Sequence, residues 1–207
     1  MVSDQNLEIQ LQKLFQQKKY SEIVNEILSK TNEKDRSASL CNLLGVSRIT
    51  NNRNNKEIVS LALNDFKKGY LKEKTTISAL DSLANFIISS VHLRDLEKNN
   101  AFNFDEILSY YKNSEKHSIN HRAIHVAMIM VNRRLNNPEK IAFHYDRIIK
   151  SKNFISGELC TYGYWRCFDK SWKQSDFFNF GKFLNDNLRK YPKDNLVEIS
   201  KNIGSKI

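Results

Sequence analysis

Proline and glycine are scarce in this sequence, with two and six copies among 207 residues. Both residues disfavour helix interiors, so their scarcity favours a helical chain. Cysteine is also scarce: Cys41, Cys160 and Cys167 form no CxxC pair, which argues against a disulfide framework and fits a reducing cytosol. No apolar run reaches the ~18 residues that a membrane span needs, and the N-terminal stretch MVSDQNLEIQLQKLF lacks the apolar segment of a signal peptide. We therefore expect a cytoplasmic protein with no membrane segment.

The charge of the sequence is unbalanced, with a formal net charge of +10 from 33 basic and 23 acidic residues. Such a balance is typical of proteins that bind nucleic acid, acidic proteins or membrane surfaces. Here lysine is mixed with aspartate and glutamate in nearly every segment, and pairs such as Lys67-Lys68 are isolated. This pattern favours a solvated surface. Nucleic-acid binding is the alternative that the charge alone would support.

Apolar residues recur at helical spacing along most of the chain. One stripe begins at Leu7 and ends at Phe15, and a second begins at Tyr20 and ends at Leu28. Two amphipathic helices joined by a short polar turn form a helical hairpin. The sequence therefore predicts that the chain begins with such a hairpin.

The next pair of predicted helices contains small residues at particular positions. Gly45 follows Leu44 inside one helix, and Ala62, Phe66 and Gly69 lie in the following one. A glycine inside a helix costs about 1 kcal/mol relative to alanine, so its presence calls for a structural reason. We expect Gly45 to lie inside a helix and to face the helix that carries Ala62 and Phe66, because a missing Cβ lets two backbones approach closely.

Helix starts and ends are marked farther along. Asp105 is a predicted N-cap. Asn137-Pro138-Glu139 combines an N-cap, a proline at the first helical position and an acidic first turn. Tyr191-Pro192 ends a helix, since proline cannot continue the hydrogen-bond ladder. No segment alternates polar and apolar residues as a strand would, so we predict an all-α fold of about eleven helices.

The small and aromatic residues of the second predicted helix pair resemble the pattern of the tetratricopeptide repeat. That family has Leu-Gly in the first helix of each pair, Ala, Phe and Ala in the second, and Pro after it. Leu44-Gly45 with Ala62, Phe66 and Gly69 matches this pattern, and later copies match more loosely. The resemblance implies an α-solenoid of about five degenerate tetratricopeptide-like helix pairs over residues 1–192. A short helix and a frayed tail are expected over residues 193–207.

A second resemblance covers nearly the whole chain. It is to the N-terminal half of bacterial SPINDLY-like O-linked N-acetylglucosamine transferases, and it is carried by LFQQKKYSEIVNEIL, LCNLLGVSRI, DFKKGYLKEK, VNRRLNNPEKI, and WKQSDF with LRKYPKD. In such proteins helical repeats precede a sugar-nucleotide-dependent catalytic domain. This sequence reaches Ile207 about where that domain would start, so no catalytic residue of the family can be carried over. The resemblance implies a substrate-recruiting region of a glycosyltransferase as one possible function.

Two clusters of reactive side chains offer little chemistry. His117, His121 and His125 would share one face of a continuous helix, but no set of ligands completes a tetrahedral metal site. Cys160 and Cys167 lie among aromatic residues, which favours buried small hydrophobes over reactive thiols. We therefore predict no metal, no cofactor and no enzymatic activity.

The leading interpretation is a non-catalytic scaffold that binds a protein or peptide in the groove lined by the first helix of each pair. Asparagine side chains both donate and accept hydrogen bonds, so they can hold a peptide backbone whatever its side chains. The residues predicted to do so are Asn42, Asp81, Asn85 and Asn132.

Overall fold

Helices account for all of the regular secondary structure in the described part of the chain. The structure is a computed structural model, and it describes residues 4–98 and 103–151 with isolated positions at 173, 175, 179 and 182. The described α-helices are α1 (Asp4–Gln16), α2 (Tyr20–Lys30), α3 (Ala38–Thr50), α4 (Lys56–Glu73), α5 (Ile77–Glu97), α6 (Asp105–Ser118), α7 (Arg122–Arg134) and α8 (Pro138–Lys150), and a 3-10 helix spans Glu33–Asp35.

The predicted all-α class is confirmed over these ranges, which hold eight α-helices and no strand. None of the helices in these ranges is both long and apolar enough to cross a membrane. The chain divides into two compact units, Met1–Ser118 and Ile119–Ile207. The helices predicted after residue 158 and the predicted boundary at residue 192 lie outside the described residues, so the count of eleven helices stays a prediction.

Side-chain caps explain where most of the helices begin. Asn137 Oδ1 accepts from the backbone N–H of Lys140 at 3.1 Å, with Pro138 in the first turn, as the sequence predicted. Asp105 was predicted to be an N-cap and is instead the first residue of α6; its N–H donates to Asn103 Oδ1 at 2.7 Å. Asparagine and aspartate are both good caps, and here the residue two places earlier supplies the oxygen. Similar caps come from Ser37, Asn55 and Thr76.

The first three α-helices share one apolar core. α1 packs on α2, and α2 packs on α3. The apolar stripes of the sequence form this core, whose buried members are Leu7, Leu11, Ile23, Ile27, Leu40 and Leu44. Leu14, Tyr20, Val24 and Leu43 pack against it from its edge. The hairpin predicted from the spacing of apolar residues is therefore confirmed.

Close contact between glycine backbone and the side chains of neighbouring helices joins α3, α4 and α5. A Cβ atom built on Gly45 of α3 would lie 2.5 Å from Cε1 of Phe66 on α4. A Cβ on Gly69 would lie 2.6 Å from Oγ of Ser82 on α5 and 3.1 Å from Cβ of Cys41 on α3. Both glycines lie inside α-helices, and Gly45 faces Phe66 as predicted. The cost of a glycine within each helix is offset by the closer packing of three helices.

Polar contacts add to this packing at the edges of the first unit. Arg48 Nε of α3 donates to Asp65 Oδ2 of α4 at 2.8 Å, and both side chains are largely buried. Lys67 Nζ of α4 lies 2.6 Å from Glu106 Oε1 of α6, and Tyr70 donates from its hydroxyl to the carbonyl of Tyr110 at 3.3 Å. The ion pair to Glu106 is more exposed, so we expect it to contribute less than about 1 kcal/mol.

The second unit, as far as it is described, is a hairpin of α7 and α8. The two helices pack along their apolar faces. Their fully or nearly fully buried apolar side chains are Ile124, Ala127, Met128, Ile129, Val131, Ile141, Ala142, Tyr145 and Ile148.

Substitution of Gly45 by leucine should destabilise the first unit. Phe66 is 1% exposed, so its ring has no solvent into which to move away from the new side chain. Overpacking of this kind costs about 1–3 kcal/mol in free energy of unfolding. Urea denaturation should give this loss, and hydrogen exchange should show reduced protection in α3 and α4.

Asn64→Leu is the matched control, because Asn64 is exposed on α4 and a leucine there meets no neighbouring helix. The double variant Gly45→Ala/Phe66→Leu should lose less stability than the sum of its single variants, because a smaller side chain relieves the contact. Unchanged stability of Gly45→Leu would contradict the helix packing described here.

Candidate functional site

Two of the four predicted binding residues touch each other. Asn85 of α5 donates from Nδ2 to Oδ1 of Asn42 on α3, at 2.9 Å. Both side chains are half-buried. Within the described part of the chain, Nδ2 of Asn42 and Oδ1 of Asn85 have no other hydrogen-bond partner. The pair therefore presents one N–H donor group and one carbonyl acceptor side by side.

The other two predicted residues lie in different surroundings. Asp81 is half-buried on α5, one helical turn before Asn85, so the two lie on the same side of that helix. Asn132 belongs to α7 in the second unit, where it is 4% exposed and donates from Nδ2 to the carbonyl of Met128 at 2.8 Å. Its binding role stays a prediction, since its amide already serves a backbone carbonyl of its own helix.

An open surface cavity of about 360 Å³ lies between α1 and α3. Both helices also pack on α2. Its lining comes from one face of each helix: Gln12, Phe15 and Gln16 of α1, and Ser39, Asn42, Leu43 and Val46 of α3. Asn42 belongs both to this lining and to the pair with Asn85, so the cavity and the amide pair are continuous.

The lining of this cavity carries no formal charge, although 27% of the chain is charged. Four of its side chains offer amide or hydroxyl groups, and three offer apolar surface. Phe15 is 39% exposed, and its ring meets that of Tyr20 edge-on with 5.6 Å between ring centroids. This contact holds one face of the aromatic ring in a defined position at the end of α1.

The sequence did not identify Gln12, Phe15, Gln16 and Ser39 as site residues. Phe15 was assigned to the apolar stripe of α1 alone. A signal was present, since Gln12 and Gln16 lie one turn apart and flank Phe15 on the helix surface. The residues of α3 that complete the lining could be found only from the tertiary arrangement of the two helices.

The three histidines proposed as a helical face are not on one helix. His117 lies in the last turn of α6, which ends at Ser118, and α7 begins at Arg122 after His121. The condition of one continuous helix is therefore not met, and the three histidines do not form a face of a single helix. No group of three or more metal-binding side chains occurs among the residues that the structure describes. Cys160 and Cys167 lie outside those residues.

A different histidine pair is buried in the α7–α8 hairpin. Nδ1 of His125 lies 3.1 Å from Nδ1 of His144, and Nε2 of His125 lies 3.0 Å from the carbonyl oxygen of Ile119. A carbonyl only accepts, so Nε2 of His125 carries a proton. Neutral His125 then offers the lone pair of Nδ1 to the Nδ1–H of His144. His144 was not identified from the sequence, because its partner lies 19 residues earlier on another helix.

Burial keeps both histidines neutral. It lowers the pKa of His144 to about 3, with further contributions from His125, Lys140 and Arg147. Burial also lowers the pKa of His125, and the nearby Arg147 and His121 act in the same direction, while the hydrogen bond to Ile119 opposes them. The arrangement is a packing element of the hairpin, in which Nδ1–H of His144 donates to Nδ1 of His125.

Comparisons with known proteins identify no relative of the chain. No protein-family model, no curated protein and no solved structure matches it. The resemblance to tetratricopeptide repeats and to SPINDLY-like transferases therefore rests on the sequence segments alone.

Acidification should weaken the α7–α8 hairpin. An unfolded histidine takes up a proton near pH 6.5, whereas folded His144 does so only near pH 3. The unfolded state therefore binds more protons below pH 6.5, and stability falls as the pH falls. Between pH 7 and pH 5 we expect His144 to account for about 2 kcal/mol of lost stability, measured from hydrogen exchange of the amides in α7 and α8.

The variant His144→Leu should show a smaller loss over the same pH range. His117→Gln is the control, since His117 is exposed on α6 and its removal should leave the pH dependence of the hairpin unchanged. An equal loss in wild type and His144→Leu would contradict the assignment.

Proposed function

We propose that this chain is a non-catalytic helical-repeat scaffold, similar to tetratricopeptide repeats, that binds extended protein segments along the surface formed by α1, α3 and α5. The observation that carries this proposal is the pair of Asn42 and Asn85. Its unused donor and acceptor lie side by side on two helices that are adjacent in space but not in sequence.

The hydrogen-bonding groups of an extended peptide match this pair. Each residue of such a peptide presents one N–H and one C=O. Nδ2 of Asn42 can donate to a peptide carbonyl, and Oδ1 of Asn85 can accept from a peptide N–H. The bond between the two side chains holds both amides in place before a partner arrives, which reduces the entropy lost on binding. Recognition through the main chain requires no particular side chain from the partner.

The arrangement of helices also supports a repeat scaffold. α3 packs on α4, α4 on α5, and α3 on α5, so the first helix of one pair contacts the first helix of the next at this point of the chain. The contacts of Gly45 and Gly69 lie where the tetratricopeptide pattern has small residues. In such arrays the first helices of successive pairs line one surface, and binding uses that surface.

Removal of both amides should weaken binding of a peptide that lacks large side chains. The probe is a nine-residue peptide of glycine, serine and asparagine with acetylated and amidated ends and a central glycine. Two lost hydrogen bonds of about 1 kcal/mol each predict an affinity roughly 10-fold to 30-fold lower for Asn42→Ala/Asn85→Ala. Backbone amide shifts of α3 and α5, which both proteins possess, would give the affinity in NMR titrations, and Asp81→Ala tests the neighbouring carboxylate.

Asn64→Ala is the matched control, because it removes an exposed asparagine amide from α4, outside the proposed surface. Equal binding of this peptide by wild type and by the double variant would overturn the proposal. So would the absence of any binding to wild type.

A further inference from the structure

The cavity between α1 and α3 and the amide pair between α3 and α5 meet at one residue. Asn42 lines the cavity, and its Oδ1 accepts from Asn85. A chain lying over the amide pair would thus have a side chain directly above the cavity. The position of the cavity relative to the pair places a side-chain subsite next to a main-chain subsite.

We infer that the α1–α3 cavity is an anchor subsite for one large, uncharged apolar side chain of an extended peptide, an inference that rests on the proposed function. The apolar residues of the subsite are Phe15, Leu43 and Val46, and its polar residues are Gln12, Gln16, Ser39 and Asn42. The partner is therefore a neutral peptide segment with a residue such as leucine or phenylalanine at its centre.

The size of the cavity suits this occupant. At about 360 Å³ it lies at the lower end of the range of small-molecule pockets, roughly 300–1,000 Å³. That volume admits a leucine or phenylalanine side chain with its adjoining backbone. Contact with the three apolar side chains favours such an occupant, because it removes apolar surface of both from water. The four polar groups of the lining remain able to meet the backbone on either side of it.

The electrostatics of the lining exclude a charged anchor. None of the seven lining side chains can neutralise a carboxylate, a phosphate or an ammonium group. Moving a charge from water to such a site costs free energy that no partner charge returns. The net charge of +10 therefore does not contribute to peptide binding at this cavity. Binding here should change little between low and physiological salt, in contrast with nucleic-acid binding, which weakens steeply as salt rises.

The experiment uses the same nine-residue host peptide with different residues at its centre. The central glycine is replaced by leucine, phenylalanine, lysine or glutamate, and each peptide is titrated into the full chain while the side-chain amide resonances of Gln12, Gln16 and Asn42 are followed. Leucine and phenylalanine should raise the affinity about 5-fold to 10-fold over glycine, as partial burial of such a side chain predicts. Lysine and glutamate should give no gain.

Two variants test the location of the subsite, each with a matched control. Phe15→Ala removes one apolar residue of the subsite, and Ile9→Ala removes an exposed apolar side chain of the same helix that does not line the cavity. Ser39→Phe fills the cavity from an exposed position without removing any core packing, and Asn64→Phe places the same ring at an exposed site on α4. Phe15→Ala and Ser39→Phe should abolish the gain from leucine and phenylalanine, and the controls should retain it.

The failure of this inference differs from a failure of the proposed function. If the glycine host binds and loses affinity in Asn42→Ala/Asn85→Ala, but leucine and phenylalanine add nothing, the anchor subsite is wrong and the main-chain site stands. A gain that survives in both Phe15→Ala and Ser39→Phe also overturns the subsite. If lysine or glutamate binds best, the partner is charged and the inference is wrong.

Discussion

The first unit depends on how closely three helices can approach. Gly45 and Gly69 lack the Cβ atoms that would collide with Phe66 and Ser82, and this lets α3, α4 and α5 pack against one another. The contact brings α3 beside α5, which is what allows Asn85 to reach across to Asn42. An alanine at either glycine would force α3, α4 and α5 to shift or a buried side chain to move, so the geometry of the amide pair follows from the absence of two methyl groups.

Local signals in the sequence were enough to find helices. The cap at Asn137 and the start at Pro138 follow from residues within one turn of each other, and the structure has both. The contact of Gly45 with Phe66 could also be predicted. Glycine inside a helix lowers stability, so its presence indicates close packing that compensates for this cost. The histidine spacing was not enough to place His117, His121 and His125 on one helix, because α6 ends at Ser118 and α7 begins at Arg122.

The candidate site was less accessible from the sequence than the fold. Asn42 and Asn85 could be assigned to one surface from helical spacing, but their hydrogen bond depends on the relative rotation of α3 and α5. The cavity is more remote from the sequence still, since it needs Phe15 of α1 and Leu43 of α3 to lie close together in space, which no spacing rule describes. His144 is a similar case, because its hydrogen-bond partner, His125, lies on another helix. The amide pair, the cavity and the histidine pair all depend on how helices pack in three dimensions. Spacing along a single sequence does not reveal that packing directly.

The direct pairing of Asn42 with Asn85 has a consequence for how the chain folds. The two residues are 43 positions apart, whereas the other helix contacts of the first unit mostly join elements that follow each other in sequence. Folding is faster when contacts are local, because a short loop loses less entropy on closing. Contacts between consecutive helices should therefore form early. The contact of α3 with α5 should form late. The proposed binding surface would then be assembled in the last stage of folding, once α5 has docked on α3.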